Sequence, residues 1–201
     1  MAEGEKRQYE LWYQVVESNE SLTQGDLILD CPLLGWETEE LASGENETLE
    51  SAVVSFKEDV VVMTQACDIE QDKVDNIVLC PCVPLSHFRQ EWEADMRRYK
   101  QNPTDKAWRK FCEKVADGFM WNIAILNSCE GGNVATEHRI VDFHQVFTVP
   151  KNFLQSYLQQ QNQPRLRLLP PYREHLSQAF ARFFMRVGLP TPIAPIEGRS
   201  S

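Results

Sequence analysis

The chain has 201 residues, of which 42% are hydrophobic and 25% charged, and its formal net charge is −10. These values are ordinary for a globular protein, and the length suffices for one domain with a real core. No apolar run approaches the roughly 20 residues that a membrane span requires, and residues 1–10 lack the apolar centre of a signal peptide. We therefore expect a cytoplasmic protein with reduced cysteines and no membrane partner.

Charge is distributed unevenly along the chain. Residues 1–66 carry a net charge of −12, residues 67–150 carry −3, and residues 151–201 carry +5. A nucleic-acid binder needs cationic side chains that displace counterions from phosphates. The whole chain repels RNA at long range, whereas its last quarter can attract it. Such a surface suits a protein partner at least as well as RNA.

The first half of the chain predicts a β-rich fold. Apolar runs of strand character, separated by polar or glycine-containing turns, occupy residues 9–16, 25–34, 52–56, 59–65 and 75–85. The run 59–65 is apolar through its first half, which is typical of a strand buried on both faces, and 75–85 is its expected neighbour. The acidic segment 35–51 lacks an apolar period and is predicted to be a mobile loop.

The second half adds helices to this pattern. Apolar residues recur at helical spacing on two helices, the second of which is predicted to start at the cap Thr104 and to end at Asp117-Gly118. Strand character resumes at 119–126 and 139–149, and a short polar helix or loop follows. A closing helix is predicted from Pro170 to Gly188, with one apolar face formed by Leu176, Phe180, Phe183, Phe184 and Val187.

Five segments, in this order, resemble the MazF/PemK toxin family: "GDLILDCPLL", "DVVVMTQ", "NIVLCPCVPL", "VDFHQVFTVPKNFL" and the closing helix to "RVGLP". The motif "TQACDI" resembles a divergent branch of that family. The resemblance implies a mainly β (α+β) fold, a small SH3-like, MazF-type barrel with an inserted helical hairpin (86–118) and a C-terminal helix. One domain then spans 1–190, and 191–201 is expected to be a flexible tail, in which "IEGR" matches a factor Xa cleavage site. Family members are usually dimers, so a homodimer is also expected.

The same resemblance argues against catalysis. Many members are sequence-selective endoribonucleases, whose catalytic Arg precedes the proline of a "RPVVVIS" strand and whose catalytic Thr follows "VIVAPI". Here Glu58-Asp59 stands at the first place and Val83 at the second. A carboxylate repels the phosphate charge that an arginine stabilises in the transition state. The resemblance thus implies a barrel that has lost its ribonuclease centre and binds a protein partner in a prokaryotic defence or toxin–antitoxin system.

Two other functions stay open. One is an active endoribonuclease that cleaves single-stranded RNA with a displaced set of residues, for which Lys57, Thr64, Cys67 and His144 are the candidates. The other is a nucleic-acid-binding regulator. Its basic surface would consist of Arg165, Arg167, Arg173, Arg182 and Arg186, which could equally grip an acidic partner segment or form a solvated helix face.

The loop motif Gln65, Cys67 and Asp68 admits two interpretations. A nucleophilic cysteine needs a nearby base, usually histidine, and no motif places one there. Alternatively Cys67 is a small buried group, while Asp68 and Gln65 hold the polar connection between two core strands. We favour this structural interpretation.

The pair Cys80 and Cys82 also has two interpretations. Side chains alternate along a strand, so both sulfurs lie on one face, and with Cys67 they could supply three thiolate ligands to zinc. The run "IVLCPCV" is instead typical of a buried core, where free cysteine is common. We favour the core and expect neither a metal nor another cofactor.

Two further groups are ambiguous. Alternation on the predicted strand 139–149 puts Asp142 and His144 on one face, either as a general-base pair or as an ordinary polar pair. The aromatic residues Trp92, Tyr99 and Trp108 could stack on bases. We expect them instead to seal the helical insert onto the barrel.

Overall fold

The computed structural model describes residues 12–36, 52–130 and 134–185. Within these residues the chain has a mixed α+β fold of eight strands and five helices, and all strand pairs are antiparallel. Predictions for the rest of the chain, including the loop 37–51, Arg186, Val187 and the tail 191–201, lie outside the described residues. None of the described helices is long and apolar enough to cross a lipid bilayer.

The elements follow one another in a β-rich order with two helical excursions. They are β1 (Tyr13–Val16), β2 (Leu27–Trp36), β3 (Val53–Val62), α1 (Ala66–Glu70), β4 (Asn76–Pro84), α2 (Leu85–Arg98), α3 (Asp105–Ala116), β5 (Ile123–Leu126), β6 (Arg139–Asp142), β7 (Phe147–Pro150), α4 (Lys151–Gln161), β8 (Arg165–Leu168) and α5 (Tyr172–Phe184).

Strand β4 organises the larger sheet. Five of its six strands follow the order β2-β3-β4-β6-β5, and the sixth strand, β7, also pairs with β4. Residues 76–79 of β4 pair with β7, residues 79–81 pair with β3, and residues 82–84 pair with β6. Strands β1 and β8 form a separate two-stranded sheet, which a bridge between Asp26 and Arg167 joins to the start of β2. These pairings form an open path among the described strands.

The core lies on both faces of β3, as its apolar run predicts. Val61 packs in one buried cluster, together with Cys80 and Cys82, and this cluster is covered by Leu176 of α5. Val60 and Val62 face the other way into a second cluster, which is covered by α4. Adjacent residues of one strand therefore stabilise two layers, because side chains alternate.

Several local predictions are confirmed. Strands β3 and β4 are neighbours, with Val61 paired to Cys80. The hydroxyl of Thr104 accepts a hydrogen bond from the backbone N–H of Ala107 at 3.2 Å, which caps α3. Gly118 ends that helix with φ +73°, a conformation that costs glycine little.

The strand boundaries required correction. The predicted strands 52–56 and 59–65 form one continuous strand, because the charged residues between them pair with Cys31 and Pro32 of β2. Gly35 and Trp36, which were assigned to the loop, belong to β2. The polar connection after β3 contains the short helix α1.

The predicted strand 139–149 is interrupted. Residues 143–146 separate β6 from β7 and belong to neither strand. The carboxylate of Asp142 accepts a hydrogen bond from the backbone N–H of His144 at 2.9 Å. This local bond stabilises a turn, which is a common role of aspartate.

The helical insert forms the predicted hairpin. Trp92 and Trp108 pack with ring centroids 5.1 Å apart, and Trp108 is buried. Phe88 and Phe111 extend the contact to a cluster that includes residues of β5 and β6. Tyr99, in contrast, is 72% exposed and seals nothing, because it lies at the C-terminal cap of α2.

Candidate functional site

The four residues proposed for a displaced ribonuclease centre do not come together. Lys57 is exposed on β3, and Cys67 is exposed on α1. Thr64 is buried, and its hydroxyl accepts a hydrogen bond from the backbone N–H of Val78 at 2.7 Å. His144 lies in the turn between β6 and β7. In the part of the chain that the structure describes, no hydrogen bond or ion pair joins any two of the four.

Cys67 differs from the expectation of a buried side chain. It is exposed, and its sulfur lies 3.8 Å from Oε1 of Gln65 and 3.7 Å from Oδ1 of Asp68. The loop motif is thus a local polar cluster at the start of α1. No described histidine hydrogen-bonds the thiol, so the base that a nucleophilic cysteine requires is missing from its contacts.

The zinc interpretation is wrong for these three cysteines. Cys80 and Cys82 do share one face of β4, but both are fully buried, whereas Cys67 lies outside on α1. Burial raises the pKa of each of these two thiols to about 12. Within the described ranges, no group of three or more His, Cys, Asp or Glu could hold a metal ion.

His144 belongs to an exposed aromatic surface rather than to a strand face. Its Nδ1 lies 3.1 Å from Oδ1 of Asp142, so the expected pair exists, but it is formed by the turn. The imidazole makes edge contacts with Trp121 and Phe183, with centroids 6.1 and 5.2 Å away. The pair therefore works as a surface contact between the turn and α5.

Two arginines of the predicted basic surface, Arg165 and Arg167, are not part of an exposed surface. Arg165 and Arg167 lie on β8, a strand that the alternation in "RLRL" could have revealed. Both bind the fully buried Asp26: Arg165 Nε is 2.8 Å from Oδ2, and Arg167 Nε is 2.5 Å from Oδ1. Arg165 also donates to three backbone carbonyls. These guanidinium groups stabilise the junction of β2 and β8 and are not available to phosphates.

The rest of the basic surface is thin. Arg173 is half-buried and pairs with Glu174 at 2.7 Å. Arg182 is exposed on α5. A surface with one exposed arginine among the four described cannot neutralise many phosphates.

The sequence analysis missed a buried cluster around Arg139, the first residue of β6. Arg139 is 6% exposed; its Nη1 donates to Oδ2 of Asp59 at 2.8 Å and to the carbonyl of Cys82 at 2.7 Å. Its Nε donates to Oγ1 of Thr136 at 2.7 Å. Arg139 and Thr136 line a cavity of about 160 Å³ together with Tyr157. An isolated arginine that opens an apolar strand was the available signal.

The two positions that argued against catalysis lie close to this cluster in the ladder. Glu58 precedes Asp59 on β3, and Val83 follows Cys82 on β4 and pairs with Ile140. Burial raises the pKa of Glu58, and the nearby carboxylates of Asp59 and Glu91 raise it further. The environment of Glu58 is thus unfavourable for additional negative charge.

A second candidate surface is the arm, which we define as residues 31–36 of β2 and 53–58 of β3. These residues pair with each other from Cys31 opposite Glu58 to Trp36 opposite Val53. Strand β4 pairs with β3 only beyond the arm, through residues 60–62. On one face of the arm Leu34 is 70%, Trp36 71% and Val53 41% exposed. A contiguous exposed apolar surface of this kind commonly marks an interaction site.

Comparison of the chain with protein-family models, with curated proteins and with solved structures finds no match.

Proposed function

We propose that this chain is a non-catalytic module that binds a protein partner, and that its strands form an SH3-like barrel of the MazF type. The antiparallel order around β4 and the order of the five sequence segments support that barrel. We place the module in the cytoplasm, in a prokaryotic defence or toxin–antitoxin system. All six cysteines are free, which suits a reducing compartment.

The observation that carries this proposal is the exposed apolar face of the arm. Leu34 and Trp36 have large apolar side chains, and most of their surface faces water. Burial of that surface by a partner would lower the free energy. Tryptophan is among the residues that contribute most to binding energy in protein interfaces. The four catalytic candidates lie apart from one another. Two of the predicted phosphate-binding arginines, Arg165 and Arg167, bind the carboxylate of Asp26 instead. Surface binding is the function that this combination supports best.

Photo-crosslinking tests the proposal directly. A photoreactive amino acid at position 34 should crosslink a protein partner in cells of the source organism, because that position faces solvent in the arm. The same group at Tyr99, which is equally exposed at the C-terminal cap of α2, provides the matched control. A partner captured at Tyr99 but not at Leu34, or no crosslinked protein from either position, would contradict the proposal.

A second candidate function has one specific observation in its favour. Arginine and threonine are the catalytic residue types of the family that the sequence resembles, and Arg139 and Thr136 are in direct contact beside a cavity. This pair could serve an endoribonuclease with a displaced centre. Thr136→Val removes the hydroxyl with little change in shape, and Thr148→Val is the control at an exposed threonine. RNA cleavage that is lost only in Thr136→Val, at a temperature well below the melting transition of that variant, would support this alternative.

A further inference from the structure

Strand β5 ends the larger sheet and has one free edge. Among the described strands it pairs only with β6. The backbone N–H of Phe143 donates to the carbonyl of Asn122 at 2.9 Å, which sets the alternation of this antiparallel ladder. Every second residue bonds its partner in such a ladder, so the N–H and C=O groups of Ile123 and Ile125 point away from β6. No hydrogen bond among the described residues uses these four groups.

This edge lacks the residues that usually protect one. The stretch "NIAILN", residues 122–127, contains neither a proline nor a charged side chain. Proteins commonly use such residues to keep edge strands from pairing with other chains. An unpaired apolar edge is therefore a template for a further strand.

The free edge lies in a groove between two helices. All four residues of β5 line a cavity of about 460 Å³, with the end of α3 on one side and α5 on the other. Ile123 packs with Val115 of α3 in one buried cluster, and Leu126 packs with Leu176 of α5 in another. The two helices thus cover the two faces of β5 and leave its edge open between them.

The groove favours apolar side chains. On an added strand, side chains would point alternately toward α3, where Val115 and Met120 line the cavity, and toward α5, where Ala179 lines it. The charged lining residues apart from a histidine are Asp117 and Arg182, which have opposite signs. The lining therefore favours neither an acidic nor a basic segment.

We propose that the free edge of β5 binds an extended, apolar segment of a protein partner as an added strand. The two N–H groups and two carbonyls of Ile123 and Ile125 bond the backbone of that segment. A small apolar molecule would leave these groups unsatisfied, and the β5 edge of a second copy fits less well because the same helices flank it. The site lies apart from the arm, since β5 is at the opposite end of the strand order from β2 and β3, and it goes beyond the function proposed above.

Amide hydrogen exchange of the full chain, followed by NMR, tests whether the edge is free. The N–H groups of Ile123 and Ile125 should exchange faster than those of Ala124 and Leu126, which bond to β6. Equal protection of all four at low protein concentration would overturn the inference, because the chain itself would then cover the edge. Protection that disappears on dilution would also overturn it, because the occupant would be a second copy.

A library of random heptapeptides displayed on phage supplies the ligand. Peptides selected on the full chain should contain a run of about four mainly apolar residues, which is the length of β5. The synthetic peptides should protect the N–H groups of Ile123 and Ile125 from exchange. Their affinity, measured by fluorescence anisotropy, should change little with salt, because no net charge contributes.

Two variants locate the binding. Ile125→Pro removes an outward N–H and obstructs the edge, while the ladder with β6 does not use that N–H. Gln178→Trp fills the cavity from an exposed position of α5 and remains informative if the proline variant does not fold. Each should weaken a selected peptide by about tenfold or more. Ala181→Trp, at an exposed position of α5 outside the cavity lining, is the matched control and should change the affinity by less than about twofold.

The remaining outcomes are equally decisive. Equal binding of the selected peptides by wild type and Gln178→Trp would overturn the inference. Failure of the library to yield a peptide that protects the two isoleucine N–H groups, or binding that high salt abolishes, would do the same. Crosslinks from Leu34 report on the arm alone, so the proposed function and this inference can fail independently.

Discussion

Replacement of Asp26 by asparagine tests the structural role of the β8 arginines. The carboxylate of Asp26 is fully buried and accepts hydrogen bonds from both guanidinium groups and, at 3.2 Å, from the backbone N–H of Thr23. Asparagine has nearly the same shape but no charge. Asp26→Asn therefore leaves Arg165 and Arg167, with side chains 4% and 13% exposed, without a counter-charge.

The expected loss of stability is large. Removal of one partner from a buried ion pair costs about 3–5 kcal/mol, because the remaining charge stays buried. The three carbonyls that Arg165 also contacts keep the loss from exceeding that range. For a chain of this size the loss corresponds to a fall in Tm of roughly 6–20 °C. It is also a substantial part of the roughly 5–15 kcal/mol that stabilises a typical domain.

Urea unfolding at pH 7 measures this effect. The control is Asp95→Asn, which breaks the exposed pair of Asp95 with Arg98 and should cost about 0–1 kcal/mol. A loss below about 1 kcal/mol in Asp26→Asn would refute the reasoning. The two arginines would then be free to serve a nucleic-acid surface, and salt-sensitive RNA binding lost in Arg167→Ala would support that role.

Three further predictions concern charge, thiols and the acidic segment. Glu58→Gln should stabilise the chain at neutral pH and have no effect at low pH. The pKa of Glu58 is raised, so its ionisation destabilises the fold as pH rises through that pKa. Thermal unfolding at several pH values checks this, and a Tm difference between variant and wild type that does not change with pH would contradict it. Cys67 should react rapidly with a thiol reagent in the native state while Cys80 and Cys82 react only on unfolding, since both are buried with a pKa of about 12; mass spectrometry that finds all three labelled equally fast would contradict this. Deletion of 37–50 should leave Tm nearly unchanged, because that segment has few apolar side chains to bury; a large fall would show that it packs on the fold.

The sequence predicted the elements whose local chemistry is strong. Thr104 and Gly118 mark helix ends through capping and a left-handed φ, and both effects operate within a few residues. The apolar run of β3 predicted burial on both faces, because a strand covered on both sides has apolar residues at successive positions. These features need no knowledge of distant parts of the chain.

The missed features depend on distant contacts. Arg139 and Asp59 are 80 residues apart, and Arg165 and Asp26 are 139 residues apart. A charged residue looks solvent-exposed in a sequence unless its partner is known, so Arg165 was assigned to a surface and Arg139 was overlooked. At the break between β6 and β7, Asp142 accepts a local hydrogen bond from the backbone N–H of His144, and such local bonds compete with strand pairing.

The measurement that tests the central claim most directly is the fate of single-stranded RNA with the purified chain at low salt, where any weak RNA affinity is greatest. The proposed function predicts that the RNA stays intact, because the proposed MazF-type alignment puts Glu58 and Val83 at the catalytic arginine and threonine positions. Loss of one such stabilising donor typically slows catalysis by about a hundredfold or more. Cleavage above the buffer control would contradict the account if Thr136→Val, purified in the same way, does not cleave the RNA. That control excludes a copurifying nuclease.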